Sequence, residues 1–200
     1  HFVDLFDILR KMRCGIKRES SVNFVLSDSK WGEGETGLSG GIVEWSFAQT
    51  PGTGFVFDDV ISDTRFQNLI REAFQAWEDV ANIDFQEVTD SSDISLRLGW
   101  DTIDGPSGTV GEASFTSSKT TSTLFSIQTS EIRFDSAENW ATDRTPTRSE
   151  MSLYATAVHE IGHVIGLEHV DDPNTIMYFL DTGDILDLTA GDIQGAQTIY

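Results

Sequence analysis

The sequence predicts one α+β domain built on a mixed sheet, and three observations carry that expectation. Periodic segments follow one another in the order strand, helix, several strands, then two helices. The 200 residues, 38% of them hydrophobic, suffice for one sizeable core, or for one domain with a short appendage. No internal repeat is found, and no run of eighteen apolar residues offers a helical membrane span.

The elements follow from periodicity and punctuation. In DLFDILRKMR (4–13) the apolar positions 5, 6, 8, 9 and 12 predict a short amphipathic helix. Residues 27–41, rich in Gly, Ser and charge, read as a loop before a strand at GIVEWSFA (41–48), and TPGTG (50–54) is turn material. From 64 to 81 the apolar residues fall at 66, 69, 70, 73, 74, 77, 80 and 81, a helical period with Asp63 as N-cap. IDFQEV (83–88), DISLRLGW (93–100), GTVGEASFT (108–116) and EIRFD (131–135) read as strands. Ser149 or Thr147 is expected to cap a second long helix through LYATAVHEIGHVIGL, with Gly166 at its end. A last helix starts at about Thr189 and runs through AGDIQGAQTIY.

Charge narrows the function classes. The formal net charge of −20 argues against nucleic acid or an anionic membrane as partner. Residues 1–20 carry +2 and residues 21–200 carry −22, so a positive leader precedes a strongly negative body. The single cysteine, Cys14 in RKMRCGIKRES, forbids an internal disulfide. A chain opening on His1 predicts a trimmed product, with any export signal outside it.

His159-Glu160-Ile161-Gly162-His163 lies in the second predicted helix, followed by Gly166 and His169. Residues i and i+4 share a helix face, so His159 and His163 aim at one spot. Gly166 permits the left-handed turn that brings back His169 as a third ligand. Three neutral imidazoles with an open fourth position make a catalytic zinc site. Glu160 is placed to take a proton from a water there. Of four histidines in the chain, three lie in this motif.

The segment HExxHxxGxxH, followed by Met177 in DPNTIMY, resembles the metzincin metallopeptidases. The short spacing from His169 to Met177, with Tyr178 next, is similar to matrixins (matrix metalloproteinases). Phe179 stands where astacins and serralysins place a zinc-binding tyrosine. NFVLSDSKW (23–31), REAFQAWEDVANIDFQEV (71–88), IRFDSAENW (132–140) and LTAGDIQGAQTIY also resemble matrixin segments. The resemblance implies a zincin-like α+β fold: a mixed twisted sheet with an edge strand along the cleft, an active-site helix and a C-terminal helix. It implies a zinc-dependent endopeptidase of extended protein or peptide substrates, without a hemopexin-like module. Its zinc ligands would be His159, His163 and His169, its general base Glu160, and its hydrophobic floor Met177.

The resemblance also implies a structural calcium on Asp104, Gly105, Ser107, Thr109, Asp135 and Glu138. A second, structural zinc is not expected, because its positions hold Arg97, Gly99, Glu112 and Arg133. Residues 109–115 would form the substrate-pairing edge, and 179–188 would line a pocket for an apolar side chain after the cut. Met12-Arg13-Cys14-Gly15 resembles the core of a matrixin propeptide, whose cysteine holds the zinc in the latent enzyme. The implied division is a propeptide segment over 1–20 and a catalytic domain over 21–200. Lys17-Arg18 offers a cleavage site to a trypsin-like activating protease. A secreted, extracellular or cell-surface monomer is expected, with no nucleic-acid or membrane partner. Two alternatives stand beside this: a serralysin-like or other bacterial metzincin, and a catalytically inactive zinc-binding module.

Overall fold

A computed structural model describes residues 12–13, 23–49, 55–119, 122–181 and 183–200. Along these residues the elements are β1 (Met12–Arg13), β2 (Val25–Leu26), β3 (Ser29–Lys30), β4 (Gly41–Phe47), α1 (Thr64–Glu78), β5 (Ile83–Glu87), β6 (Leu96–Asp101), β7 (Gly111–Ser118), β8 (Phe125–Asp135), α2 (Leu153–Val164), β9 (Leu167–Glu168), β10 (Leu180–Asp181) and α3 (Ala190–Ile199). The α+β expectation holds, with most strands of the main sheet parallel.

Four strands in the order β5, β4, β6, β8 run parallel, and short β3 joins β8 ahead of β6. β7 alone runs antiparallel; it pairs with β8 from Gly111↔Phe134 to Ser118↔Ser126, with a shift after Thr116. Among the described residues β7 pairs with no other strand, so its outer backbone edge is open. The buried strands supply Val43, Trp45, Leu96, Leu98, Ile132 and Phe134 to the core. α1 covers them with Leu69, Ile70, Ala73, Phe74 and Trp77, the face its 3.6-residue period dictates. Phe74 stacks on Trp45 with ring centroids 4.3 Å apart.

Local chemistry sets the ends of the helices. The Asp63 carboxylate accepts the Arg65 N–H at 2.9 Å, as an N-cap should, and α1 stops at Glu78, short of the expected 81. The cap of α2 is Ser152, whose hydroxyl accepts the Ala155 N–H at 3.1 Å, and not Ser149 or Thr147. Either earlier choice would have carried the helix across Met151, which is bridged to Trp140. Thr189 is the N-cap of α3, as expected. The expected helix over 4–13 lies mostly outside the described residues; Met12 and Arg13 are strand, not helix. Likewise the expected loop over 27–41 contains β3, and the strand read at 131–135 begins six residues earlier.

Candidate active site

α2 is almost wholly buried, which is why its residues show little amphipathic contrast. α1 braces it: Trp77 Nε1 donates to the Val158 carbonyl at 2.9 Å, next to His159. Carbonyls at a helix C-terminus have no intrahelical partner. Here Trp31 Nε1 donates to Val164 O at 2.7 Å, and the Tyr200 hydroxyl to Ile165 O at 2.8 Å. Gly166 then turns at φ +101°, and a Cβ on it would lie 2.4 Å from the Ser29 carbonyl. β9 follows and pairs with β2, delivering His169 back to the end of the helix.

Nε2 atoms of His159, His163 and His169 lie 3.0–3.1 Å apart. His159 Nδ1 is 2.6 Å from Ile176 O, and His163 Nδ1 is 2.9 Å from Leu167 O. Those carbonyls require N–H on Nδ1, which leaves lone pairs on Nε2 of both rings. Lone pairs converging at this distance repel unless a cation lies between them. Ligands of a tetrahedral zinc at about 2.0–2.1 Å stand roughly 3.3 Å from one another, so the donor set fits that ion. Burial first, then the neighbouring imidazoles, holds His159 well below the ordinary histidine range. The same causes, burial and then His169, push His163 down to about 3. Both rings are therefore neutral, as metal ligands must be.

Glu160 is 1% exposed, and its Oε2 is a buried oxygen with no hydrogen-bond partner. Burial, reinforced by the charge of Glu112, raises its pKa to about 8. A bound cation acts in the opposite direction. An orphaned buried carboxylate oxygen beside three converging imidazoles suits a water and a metal better than it suits packing. Gly111 of the edge strand faces it, where a Cβ would lie 3.0 Å from Glu160 Oε1. Beneath the histidines lies Met177, 2% exposed; a Cβ on Gly162 would come within 2.4 Å of its Sδ. Val170 N donates to Met177 O at 3.1 Å, tying the third histidine's segment to the methionine turn.

With that geometry, comparison with known proteins is decisive. A matrixin family model matches residues 54–200. The chain belongs to the matrixin family. Its relatives include the hatching enzyme of Paracentrotus lividus, 27% identical over 98% of this chain and 30% of that protein. Metalloendoproteinase 1 of Glycine max is 30% identical over 69% of this chain and 46% of its own length. Matrix metalloproteinase-16 of Homo sapiens is 30% identical over 70% of this chain and 24% of its own. The chain thus spans less than half the length of each of these relatives.

Zinc is the metal of matrixins, and the three histidines form, among the described residues, the group whose ligand atoms all lie within 4.8 Å of one another. Other residues expected at matrixin sites fall as follows. Tyr178 follows the turn and is bridged to Val170. Phe179 offers no ligand atom, and its ring centroid is 6.5 Å from that of His169. Asp104, Gly105, Ser107 and Thr109 form one loop against Asp135 and Glu138. Gly105 N donates to Asp135 Oδ2 at 3.0 Å, Ser107 N to Glu138 Oε1 at 2.6 Å, and Thr109 N to Asp104 Oδ1 at 2.9 Å. Ser107 holds φ +69°, a conformation rare for a residue with a side chain. Burial, together with the nearby Asp135 and Asp104, raises the pKa of Glu138.

Cys14, Lys17 and Arg18 lie outside the described residues. At the positions considered for a second zinc, Arg133 pairs with Asp101 at 2.6 Å and with Glu112, and Arg97 pairs with Asp90. Gly99 lies under the Phe57 ring.

Sequence reasoning missed Gly162, Trp77 and the reach of Asp192. Asp192 Oδ2 accepts the Ile176 N–H at 3.1 Å and the Thr189 N–H at 2.8 Å, while Oδ1 faces Met177 N at 3.4 Å. A glycine inside a predicted helix was the one available signal for Gly162. The long-range partners of Trp77 and Asp192 left none.

Proposed function

We propose that this matrixin is a zinc-dependent endopeptidase that hydrolyses peptide bonds in extended protein substrates. The observation that carries the reading is the buried, unpartnered Glu160 Oε2 beside three imidazoles whose Nε2 atoms converge. Zinc bound there supplies Lewis acidity, polarising the scissile carbonyl and acidifying a bound water. Glu160 accepts the proton of the attacking water on its carboxylate and delivers it to the leaving amine. β7, with an open edge and Gly111 beside Glu160, pairs with the substrate backbone as an added strand. Segment 179–188 lines the pocket for an apolar side chain after the cut.

Residues 1–20 form a propeptide segment and 21–200 the catalytic domain. In the latent form Cys14 would be a further zinc ligand, its thiolate keeping water from the metal until cleavage at Lys17-Arg18 by a trypsin-like protease. Support comes from β1, which sets Met12 opposite Asp181 and Arg13 opposite Leu180, just beyond the methionine turn. The alignment with the hatching enzyme also takes in nearly all of this segment. Calcium on Asp104, Gly105, Ser107, Thr109, Asp135 and Glu138 draws support from the strained loop and crowded acids. The enzyme acts as a secreted monomer; no helix among the described residues is long and apolar enough to cross a membrane.

After removal of residues 1–18, wild type is expected to cleave a generic protein substrate and to carry one zinc per chain. Glu160→Ala is expected to bind zinc equally and lose at least 100-fold in kcat. Equal inertness of both proteins would sink the peptidase reading and leave a zinc-binding module.

A further inference from the structure

Consecutive residues of a strand point to opposite faces of its sheet. Gly111 of β7 meets α2, where a Cβ on it would lie 3.0 Å from Glu160 Oε1 and 3.1 Å from Thr156 Cγ2. Glu112 turns to the far face and stands opposite Arg133 of β8. Arg133 Nε donates to Glu112 Oε2 at 2.9 Å, joined there by Nη2, while Nη1 donates to Asp101 Oδ2 at 2.6 Å. Asp101 ends β6, so one guanidinium ties β6, β8 and β7 together. Phe55 covers it, with the ring centroid 4.5 Å from the guanidinium carbon.

β7 needs such a tie. Among the described residues it pairs with β8 alone, and that pairing shifts after Thr116. A strand bonded on one side twists more freely than a central one, and cross-strand side-chain pairs are what steady it. The planar guanidinium suits this place because it offers donors to two carboxylates at once, which the point charge of a lysine does not. The side chains of Arg133, Asp101 and Glu112 are 22%, 9% and 33% exposed, sheltered enough that salt screens them only in part.

We propose that Arg133 is a positioning residue: by holding Glu112 and Asp101 together it fixes the Gly111 end of β7 beside Glu160, and so sets how an extended substrate lies along the open edge. The proposal rests on the peptidase reading above. Gly111 and Glu112 are neighbours in sequence, so the strand is held from both faces at one level: α2 on one side, the guanidinium on the other. Arg133 acts through β7 and not on the reacting atoms. Its loss is therefore felt by substrates long enough to pair with the edge, and far less by short ones.

The test uses the full chain after trypsin activation, with a decapeptide able to pair along β7 and a tetrapeptide around the same cleavable bond. In Arg133→Met the decapeptide-to-tetrapeptide ratio of kcat/KM is expected to fall at least fivefold, chiefly through the KM of the longer peptide. Arg133→Lys should recover part of the ratio. Glu112→Gln should lower it, and the double variant should fall no further than Arg133→Met, because both act on one contact. Amide exchange in β7 should quicken while β4 and β5 are unchanged. A ratio within twofold of wild type in an active Arg133→Met overturns the clamp, as does an equal fall on both peptides, which general destabilisation would give. If Arg133→Met does not fold, the same ratio in Glu112→Gln decides. A wild type inert on both peptides overturns the peptidase reading. Exchange in β7 then reads the clamp without substrate, and exchange as slow as wild type in Glu112→Gln overturns the clamp too.

Discussion

Gly162 stands late in α2, where glycine costs roughly 0.5–1 kcal/mol relative to alanine. The site tolerates that cost because a Cβ there would sit 2.4 Å from Met177 Sδ and 3.1 Å from the Trp77 ring, both fully packed. Gly162→Ala must displace Met177, whose carbonyl accepts the Val170 N–H next to His169 and whose neighbour Ile176 offers its carbonyl to His159 Nδ1. Over-packing of this kind costs about 1–3 kcal/mol, more than the propensity gained. Calorimetry should therefore show a lower Tm, and a competing chelator should strip zinc from the variant more readily. A Tm at or above wild type would refute the packing argument. Glu160, beside it, was legible from spacing alone, since helix geometry fixes what i and i+4 can share. The unpartnered oxygen and the raised pKa of that carboxyl were not, because both follow from burial in the folded chain, with the charge of Glu112 added from a distant strand.

At the scale of elements, the methionine turn is not self-supporting. Its N–H groups at Ile176 and Met177 face Asp192, a 1% exposed carboxylate in the first turn of α3, which also accepts from Thr189. An acid in the first turn of a helix suits the local dipole; this one also fastens the floor of the metal site to the C-terminal helix. Asp192→Ala leaves buried donors unmatched and is expected to cost about 2–4 kcal/mol, with a fall in zinc affinity. Asp192→Asn, which keeps one acceptor, should recover part of both; equal losses in the two variants would argue against the hydrogen bonds as cause. The helices themselves were readable because capping and periodicity act within a few residues. Ser152 was missed because three candidate caps lie within six residues, and only the Trp140–Met151 bridge selects among them. The ties between elements, Trp77 to Val158 or Asp192 to Ile176, follow from tertiary proximity, which no local pattern encodes.

For the whole molecule, charge sets the acid response and offers a test of the proposed latency. Burial alone would raise the pKa of Asp90, but hydrogen bonds from Arg97, the Gln49 N–H and Ser46 overcome it and hold the pKa at about 2, below its model-peptide 3.8. A depressed carboxylate stabilises the fold above its unfolded value, so this contribution, roughly 2 kcal/mol, is present above pH about 4 and lost toward pH 2. Urea melts should show Asp90→Asn less stable than wild type at pH 6, with the difference shrinking by pH 2.5. A gap independent of pH would refute the assignment. In the proposed latent form a +2 leader would meet a −22 body. Attraction between them is screened by salt within about 10 Å at 0.1 M, whereas a thiolate on zinc is not. If charge alone held the leader, 1 M salt would activate the intact chain. The proposed switch predicts otherwise: the intact chain stays inert in 1 M salt, and Cys14→Ala is active without cleavage. A Cys14→Ala protein as inert as wild type, yet active after trypsin, would place the block in the β1–β10 pairing instead of the thiol.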